Sequence, residues 1–328
     1  MTDDPSSTPH VLFCTDTFAG AHGDRLAAVA PGVELVQLTA GGVVDDVDVE
    51  RITLAFFSSD AWPERAASFM KVALGAPNLR WLHSMSAGVD SPVFAMFTDR
   101  GVRLTTSSGA SAPPIAATVM LYLLALSRDL PRWLRAQAAH EWSPAPFREL
   151  RGQSVAVVGY GPIGQEVVRL ATAFGMDPVA VRRSARGDEP CRVRPLDELA
   201  DVVSGVDAVV SALPLHADTR GIFSAEVIDA MRPDAVFVNV GRGELVDQEA
   251  LTAALTDGRL GGAGLDVFEP EPLPQDDPLW DLPNVIVSPH NSGSSDGTDG
   301  RVVDIFLDNL GRFVSGRVLR NEVGPQSG

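Results

Sequence analysis

Three glycines mark the first place where this chain could do chemistry. Gly159, Gly161 and Gly164 form G-x-G-x-x-G, preceded by the short β-branched run 154–158 and followed by a helical pattern opening at 165–170. Strand, glycine turn and helix in that order is the setting in which the motif binds a dinucleotide. Gly159 permits the tight turn, Gly161 lets the backbone approach a diphosphate, and Gly164 lets the helix pack closely on its strand. The free N–H groups and positive dipole end of that helix then face the diphosphate.

Charged residues follow at the ends of later strand patterns. The run 178–181 leads into Arg182-Arg183-Ser184, with Arg186 close behind. A unit that prefers NAD generally ends this strand with an acid that binds the ribose 2′-hydroxyl. Arginine there instead holds a 2′-phosphate bidentately, which predicts NADP(H) over NAD(H). Arg242 lies between Gly241 and Gly243 after the strand pattern 235–240, well placed to reach a site. Asp266 sits inside the apolar run 261–268, where a carboxylate is either hydrogen-bonded or functional. The pattern 285–287 ends in Ser288-Pro289-His290. Earlier, the small residues Ser86, Ala87 and Gly88, with Val89, follow the strand pattern 79–83 and would offer backbone N–H groups to an anion.

These residues need a scaffold of strands alternating with helices. Strand patterns fall at 11–14, 33–38, 52–57, 79–83, 102–106, 154–158, 178–181, 208–213, 235–240, 261–268 and 285–287. Helical patterns fall at 24–30, 63–74, 113–130 and 302–314, and 1–10 reads as a disordered tail. The alternation predicts α/β architecture with doubly wound parallel sheets. The length of 328 residues predicts two domains. One is a discontinuous unit of 1–103 plus 291–328, the other a dinucleotide-binding unit of 104–290.

A net charge of −17 disfavours nucleic acid or an anionic membrane as partner. No stretch reaches the roughly 18 apolar residues of a membrane span. The N-terminus has neither a basic nor an apolar leader segment, so a soluble, cytoplasmic protein is expected. Cys14 and Cys191 are expected to be free thiols, and no metal-ligand spacing is present. No G-x-S-x-G, H-E-x-x-H or paired C-x-x-C supports a hydrolase or metal enzyme.

At several of these positions the chain resembles the D-isomer-specific 2-hydroxyacid dehydrogenase family, in particular its glyoxylate/hydroxypyruvate reductase-like members. The matching pieces are VVGYGPIGQEV at 157–167, SALPLHADTRGIF at 211–223 and VNVGRGELVDQEAL at 238–251. They continue with GAGLDVFEPEPLP at 262–274 and LWDLPNVIVSPHNSG at 279–293, while HSMSAGVD at 83–90 resembles the family's substrate loop.

The resemblance implies a Rossmann domain, a flavodoxin-like substrate domain and an active site in the cleft between them. It implies a homodimer with helix 113–130 in the interface, and a helix at 302–314 returning to the N-terminal unit. Catalysis falls on Arg242, Glu271 and His290. Cofactor contacts fall on Gly159, Tyr160, Gly161, Pro162, Ile163, Gly164, Arg182, Arg183, Ser184, Leu213, Pro214, Thr219, Val240, Gly241 and Asp266. Substrate contacts fall on Ser86, Ala87, Gly88, Val89, Arg242 and His290. Ser58, Ser59, Asp60, Trp62 and Met85 border the side-chain pocket.

The chemistry agrees with those roles. Reducing a 2-oxo acid needs a hydride donor, a proton donor and a cation for the carboxylate. Histidine is the side-chain type that titrates near neutrality, and Glu271 would stabilise its imidazolium form. Arg242 offers a planar fork to carboxylate and carbonyl. Asp266 is expected beside the nicotinamide, and the other five histidines are expected to be structural or exposed. The chain departs from the family pattern at Arg183, where an aspartate is common, and at Thr106 and Ala117, where Asn and Glu are. Glu271 argues against a formate dehydrogenase, which has Gln there. The alternative function is a non-catalytic dinucleotide-sensing scaffold or co-regulator on the same fold.

Overall fold

The computed structural model describes residues 9–89 and 91–324. Most of the expected N-terminal tail, Asp90 of the expected substrate loop and the last four residues lie outside them. The chain divides into two compact units, 1–110 with 296–328, and 111–295.

The first unit begins with β1 (Val11–Thr15), α1 (Asp16–Val29), β2 (Glu34–Leu38), α2 (Asp46–Arg51) and β3 (Leu54–Phe57). It continues with α3 (Ala66–Gly75), β4 (Trp81–Ser84), α4 (Pro92–Thr98) and β5 (Arg103–Thr106). The five strands form one parallel sheet in the order β2-β1-β3-β4-β5. Every residue of β1, β3 and β4 is buried, as expected of strands covered on both faces. The helix expected at 24–30 starts eight residues earlier. Thr15 caps it, its hydroxyl accepting from the Phe18 N–H at 3.1 Å. Gly20 and Gly23, weak helix formers, hide its first half in the sequence.

The second unit opens with α5 (Ala112–Ser127), α6 (Leu130–Ala138), β6 (Ser154–Val158), α7 (Pro162–Ala173) and β7 (Asp177–Val181). Then come β8 (Arg192–Arg194), α8 (Leu199–Ser204), β9 (Ala208–Ser211), α9 (Ala225–Ala230) and β10 (Val236–Asn239). It closes with α10 (Gln248–Thr256), β11 (Gly262–Leu265) and β12 (Val285–Val287). Its parallel sheet has the order β12-β11-β10-β9-β6-β7-β8. The helix expected at 113–130 is two helices, because Asp129 adopts a left-handed φ of 53° between them. Strand β8 escapes the sequence pattern because it is three residues long with two exposed arginines at the sheet edge.

The last helix, α11 (Thr298–Val314), returns to the first unit and packs on α1. Phe306 stacks on Phe56 at 4.0 Å between ring centroids and lies 5.8 Å from Trp81. The division falls a few residues beyond the expected 103/104 and 290/291. Strand β5 is hydrogen-bonded to β4 and so belongs to the first unit. Asn291 and Ser292 are bonded to Asp266 and so belong to the second. Both cysteines are free. Among the described residues no helix is long and apolar enough to cross a membrane.

A directed chain of hydrogen bonds runs through the core beneath the 84–89 loop. The Trp81 indole N–H donates to the Thr105 hydroxyl at 2.8 Å. Ser107 spends its proton on the Ser84 carbonyl at 3.0 Å, so its oxygen accepts from His83 Nε2–H at 3.0 Å. Nδ1 of the neutral ring is then the acceptor of the Thr105 hydroxyl proton, 2.6 Å away. The ring is held neutral, and burial pushes its pKa down to about 3 from 6.5. In the unfolded chain the ring takes up a proton below its ordinary pKa of 6.5. Stability from this site is therefore full above 6.5 and is lost as pH falls toward 3. Urea denaturation at about pH 7.5 and about pH 5 should show a clear loss of stability at the lower pH that shrinks in His83→Gln. An identical pH dependence in the variant would refute this account.

Candidate active site

The glycine turn connects β6 to α7, and each motif glycine has a distinct steric reason. Gly159 has φ +102°, and a Cβ there would lie 2.6 Å from the Ala212 carbonyl oxygen. A Cβ on Gly164 would lie 2.0 Å from the Gly159 carbonyl oxygen. Gly161 faces open space ahead of α7, where Pro162 occupies the helix's first turn. The result is a helix N-terminus reached over bare backbone, which suits a diphosphate.

Beside it is a cavity of about 360 Å³. Gly159, Tyr160, Gly161, Arg182, Arg183, Ser184, Leu213, Pro214 and Thr219 line it, nine of the residues expected to touch a cofactor. Arg186, Leu196, Ala212 and His216 complete the wall. His216 was expected to be structural or exposed. Its place follows from the Leu213–Pro214 turn, which Thr219 closes by donating to the Pro214 carbonyl at 2.9 Å. Ile163 and Val240 do not line this cavity. They pack into the apolar cluster under the turn.

The basic stretch after β7 has counter-ions that its local sequence does not reveal. Glu189, its side chain 3% exposed, accepts from Arg182 Nη1 at 2.8 Å. It also accepts from the N–H groups of Arg186 at 2.9 Å and Gly187 at 2.8 Å. These bonds hold its carboxyl down at about 2. Arg183 is ion-paired with Asp218, from the loop after β9. Arg182 also lies over the Tyr160 ring at 5.8 Å. So Glu189 folds the loop, and Arg183 spans toward the opposite side of the cavity.

Arg242, Asp266 and His290 follow β10, β11 and β12, three adjacent strands. The Asn239 side chain sets the Arg242 turn. Its amide donates to the Arg242 carbonyl at 2.9 Å, and its oxygen accepts from the Gly241 N–H at 3.1 Å. Gly243 then meets the Phe268–Glu269 backbone so closely that a Cβ would overlap the Phe268 carbonyl at 2.0 Å. That approach brings the Arg242 turn onto the loop carrying Glu271. One Glu271 oxygen accepts from the Phe268 N–H at 3.0 Å, and the other accepts from His290 Nδ1 at 2.8 Å. A carboxylate only accepts, so Nδ1 bears the proton and Nε2 is the nitrogen left for substrate. His290 is about half exposed.

Asp266 is the most heavily bonded side chain of the three. It is 1% exposed, and its carboxylate accepts from the Asn291 and Ser292 N–H groups at 3.0 and 3.1 Å and from the Ser288 and Ser292 hydroxyls. Those donors make it the anchor of the His290 turn. In the first unit, Ser86 donates to the Gly88 carbonyl at 2.9 Å and exchanges a 2.7 Å bond with Ser84. Asp60 accepts from Ser58 at 2.6 Å and from Arg65 at 2.5 Å. Ser58 and Asp60 are therefore committed to a polar network with Arg65 and Asp16, whereas Trp62 is exposed.

A family model for the NAD binding domain of D-isomer specific 2-hydroxyacid dehydrogenases matches residues 120–292. Glyoxylate/hydroxypyruvate reductase B of Pectobacterium atrosepticum is 35% identical over 260 residues, covering 76% of this chain and 81% of that protein. D-3-phosphoglycerate dehydrogenase of Methanocaldococcus jannaschii is 33% identical over 255 residues, or 76% of this chain, which spans 48% of that longer protein. A solved D-isomer specific 2-hydroxyacid dehydrogenase from Xanthobacter autotrophicus Py2, in complex with NADPH and MES, matches with a TM-score of 0.78 at 29% identity, covering 98% of this chain and 99% of that one. The family match runs from within α5 through the His290 turn, and the chain belongs to the D-isomer specific 2-hydroxyacid dehydrogenase family.

Proposed function

We propose that the protein reduces a small 2-oxo acid to the D-2-hydroxy acid, using NADPH. The His290–Glu271 pair carries this reading, because it leaves Nε2 of an oriented imidazolium to protonate the developing alkoxide. The dihydronicotinamide of a bound cofactor supplies the hydride to the carbonyl carbon. Arg242, flanked by glycines at a strand end, binds the substrate carboxylate and polarises its carbonyl. The backbone N–H groups of Ala87, Gly88 and Val89, in the loop organised by Ser86, are the proposed second anion contact. Glyoxylate and hydroxypyruvate are the first substrates to try, since the Pectobacterium relative is named for them. A sensing scaffold would need no imidazole–carboxylate pair, so that alternative is not favoured.

NADPH is proposed over NADH because Arg182, Arg183 and Ser184 all line the cofactor cavity and the Xanthobacter relative is a complex with NADPH. The Arg183–Asp218 pair is exposed on both sides, so it is worth about 0–1 kcal/mol and yields readily to a phosphate. Charge-assisted bonds to that phosphate contribute about 1.5–3 kcal/mol each. We also propose a cytoplasmic homodimer joined through the α5–α6 region, where Leu121, Trp133 and Leu134 are exposed.

His290→Ala should lower kcat by about 10²–10⁴-fold while NADPH binding, followed by fluorescence, persists. Near-normal turnover would end the proposed mechanism. Glu271→Gln removes the carboxylate that accepts from His290 Nδ1 and fixes the ring, so kcat should fall by about tenfold or more while KM for NADPH changes little. An unchanged kcat counts against the pair. Arg183→Asp should cut the NADPH-to-NADH ratio of kcat/KM by about tenfold or more. A parent enzyme with no preference for NADPH would show that these arginines do not read the phosphate.

A further inference from the structure

His290 has a left-handed φ of +49°, a conformation that L side chains adopt infrequently. The group that holds it there is Asp266, whose carbonyl accepts from the His290 N–H at 2.8 Å while its carboxylate gathers residues 288–292. The arrangement continues into α5. Ser288 has one hydroxyl proton, and it goes to the Asp266 carboxylate. The Tyr122 hydroxyl, 2.5 Å from Ser288 Oγ, must therefore be the donor in that contact. The Tyr122 ring is 2% exposed and lies against Gly264 of β11, where a Cβ would come within 2.4 Å of it. A side chain at 264 would thus expel the ring. Burial pushes the Tyr122 pKa up to about 12, so the phenol keeps its proton at any working pH.

We propose that Tyr122 is a positioning residue for catalysis, holding the His290 turn through the one-way chain Tyr122 to Ser288 to Asp266. Without the phenol, the partly buried Ser288 oxygen loses its donor and the hydroxyl is free to turn from Asp266. The carboxylate then grips residues 288–292 less firmly, and the 2.8 Å contact of His290 with Glu271 loosens. The catalytic consequence rests on the proposed proton-donor role of His290. The structural part rests on the hydrogen-bond chain alone.

Tyr122→Phe keeps the ring on Gly264 and removes only the hydroxyl. Assayed with NADPH and glyoxylate, it should lose about three- to tenfold in kcat with little change in KM for NADPH, and Tyr122→Phe/Ser288→Ala should lose no more than Ser288→Ala. Ser288→Thr, which retains the hydroxyl, should retain activity. In histidine-ring NMR, the His290 signal, assigned by its loss in His290→Ala, should move in Tyr122→Phe while the other five histidines stay in place. An unmoved His290 signal, or additive losses in the double variant, would overturn the proposal. Near-normal turnover of His290→Ala would instead overturn the proton-donor reading, and the His290 signal would still decide whether Tyr122 holds the turn.

Discussion

A carboxylate buried to 1% exposure must be met by donors, and the meeting of that demand at Asp266 shapes the active end of the second unit. Taking such a group from water costs several kcal/mol even after relaxation, so no native structure leaves it unpaired. Here the donors come almost entirely from residues 288–292, which wrap around it. The wrapping places a histidine at the crest of the turn, in a conformation that L side chains adopt infrequently. The charge of Asp266 thus acts on the candidate chemistry through backbone geometry, while Glu271 meets the imidazole directly.

The rest of that rim is built by close backbone approach. At Gly159, Gly164 and Gly243 a single added carbon would fall 2.0–2.6 Å from a carbonyl oxygen of a neighbouring segment. Each contact ties a strand end to a helix start or to the next loop. The adjacency of β10, β11 and β12 then sets Arg242, Asp266 and His290 on neighbouring strand ends. The open position at Gly161 is the exception, and it lies where a diphosphate would approach α7.

The architecture was legible because it depends on local patterns. Buried parallel strands read as short apolar runs, and the glycine motif needs only its own six residues and its flanks. Long-range partners were not legible. Arg182, Arg183 and Arg186 look like an unopposed basic patch, yet Asp218 reaches Arg183 from 35 residues away and the nearby acid Glu189 is turned inward. Asp266 read as hydrogen-bonded or functional, and the donors it meets, in the turn at 288–292, lie more than 20 residues away and leave no local signal. The α5–α6 break was hidden because an apolar pattern can continue across a left-handed residue such as Asp129. Tyr122 read as one more apolar member of a helix, and nothing local signals that its hydroxyl is used.

The return of α11 to the first unit has a consequence for the order of events during synthesis. Phe56 and Trp81 emerge early, but Phe306, which covers them, emerges about 250 residues after Phe56. The Arg103–Glu322 pair closes later still. Residues 111–295 are continuous and leave the ribosome complete while the earlier sheet still shows an uncovered aromatic face. Chain order thus completes the second unit's sequence before the helix that covers the first unit's aromatic face is made.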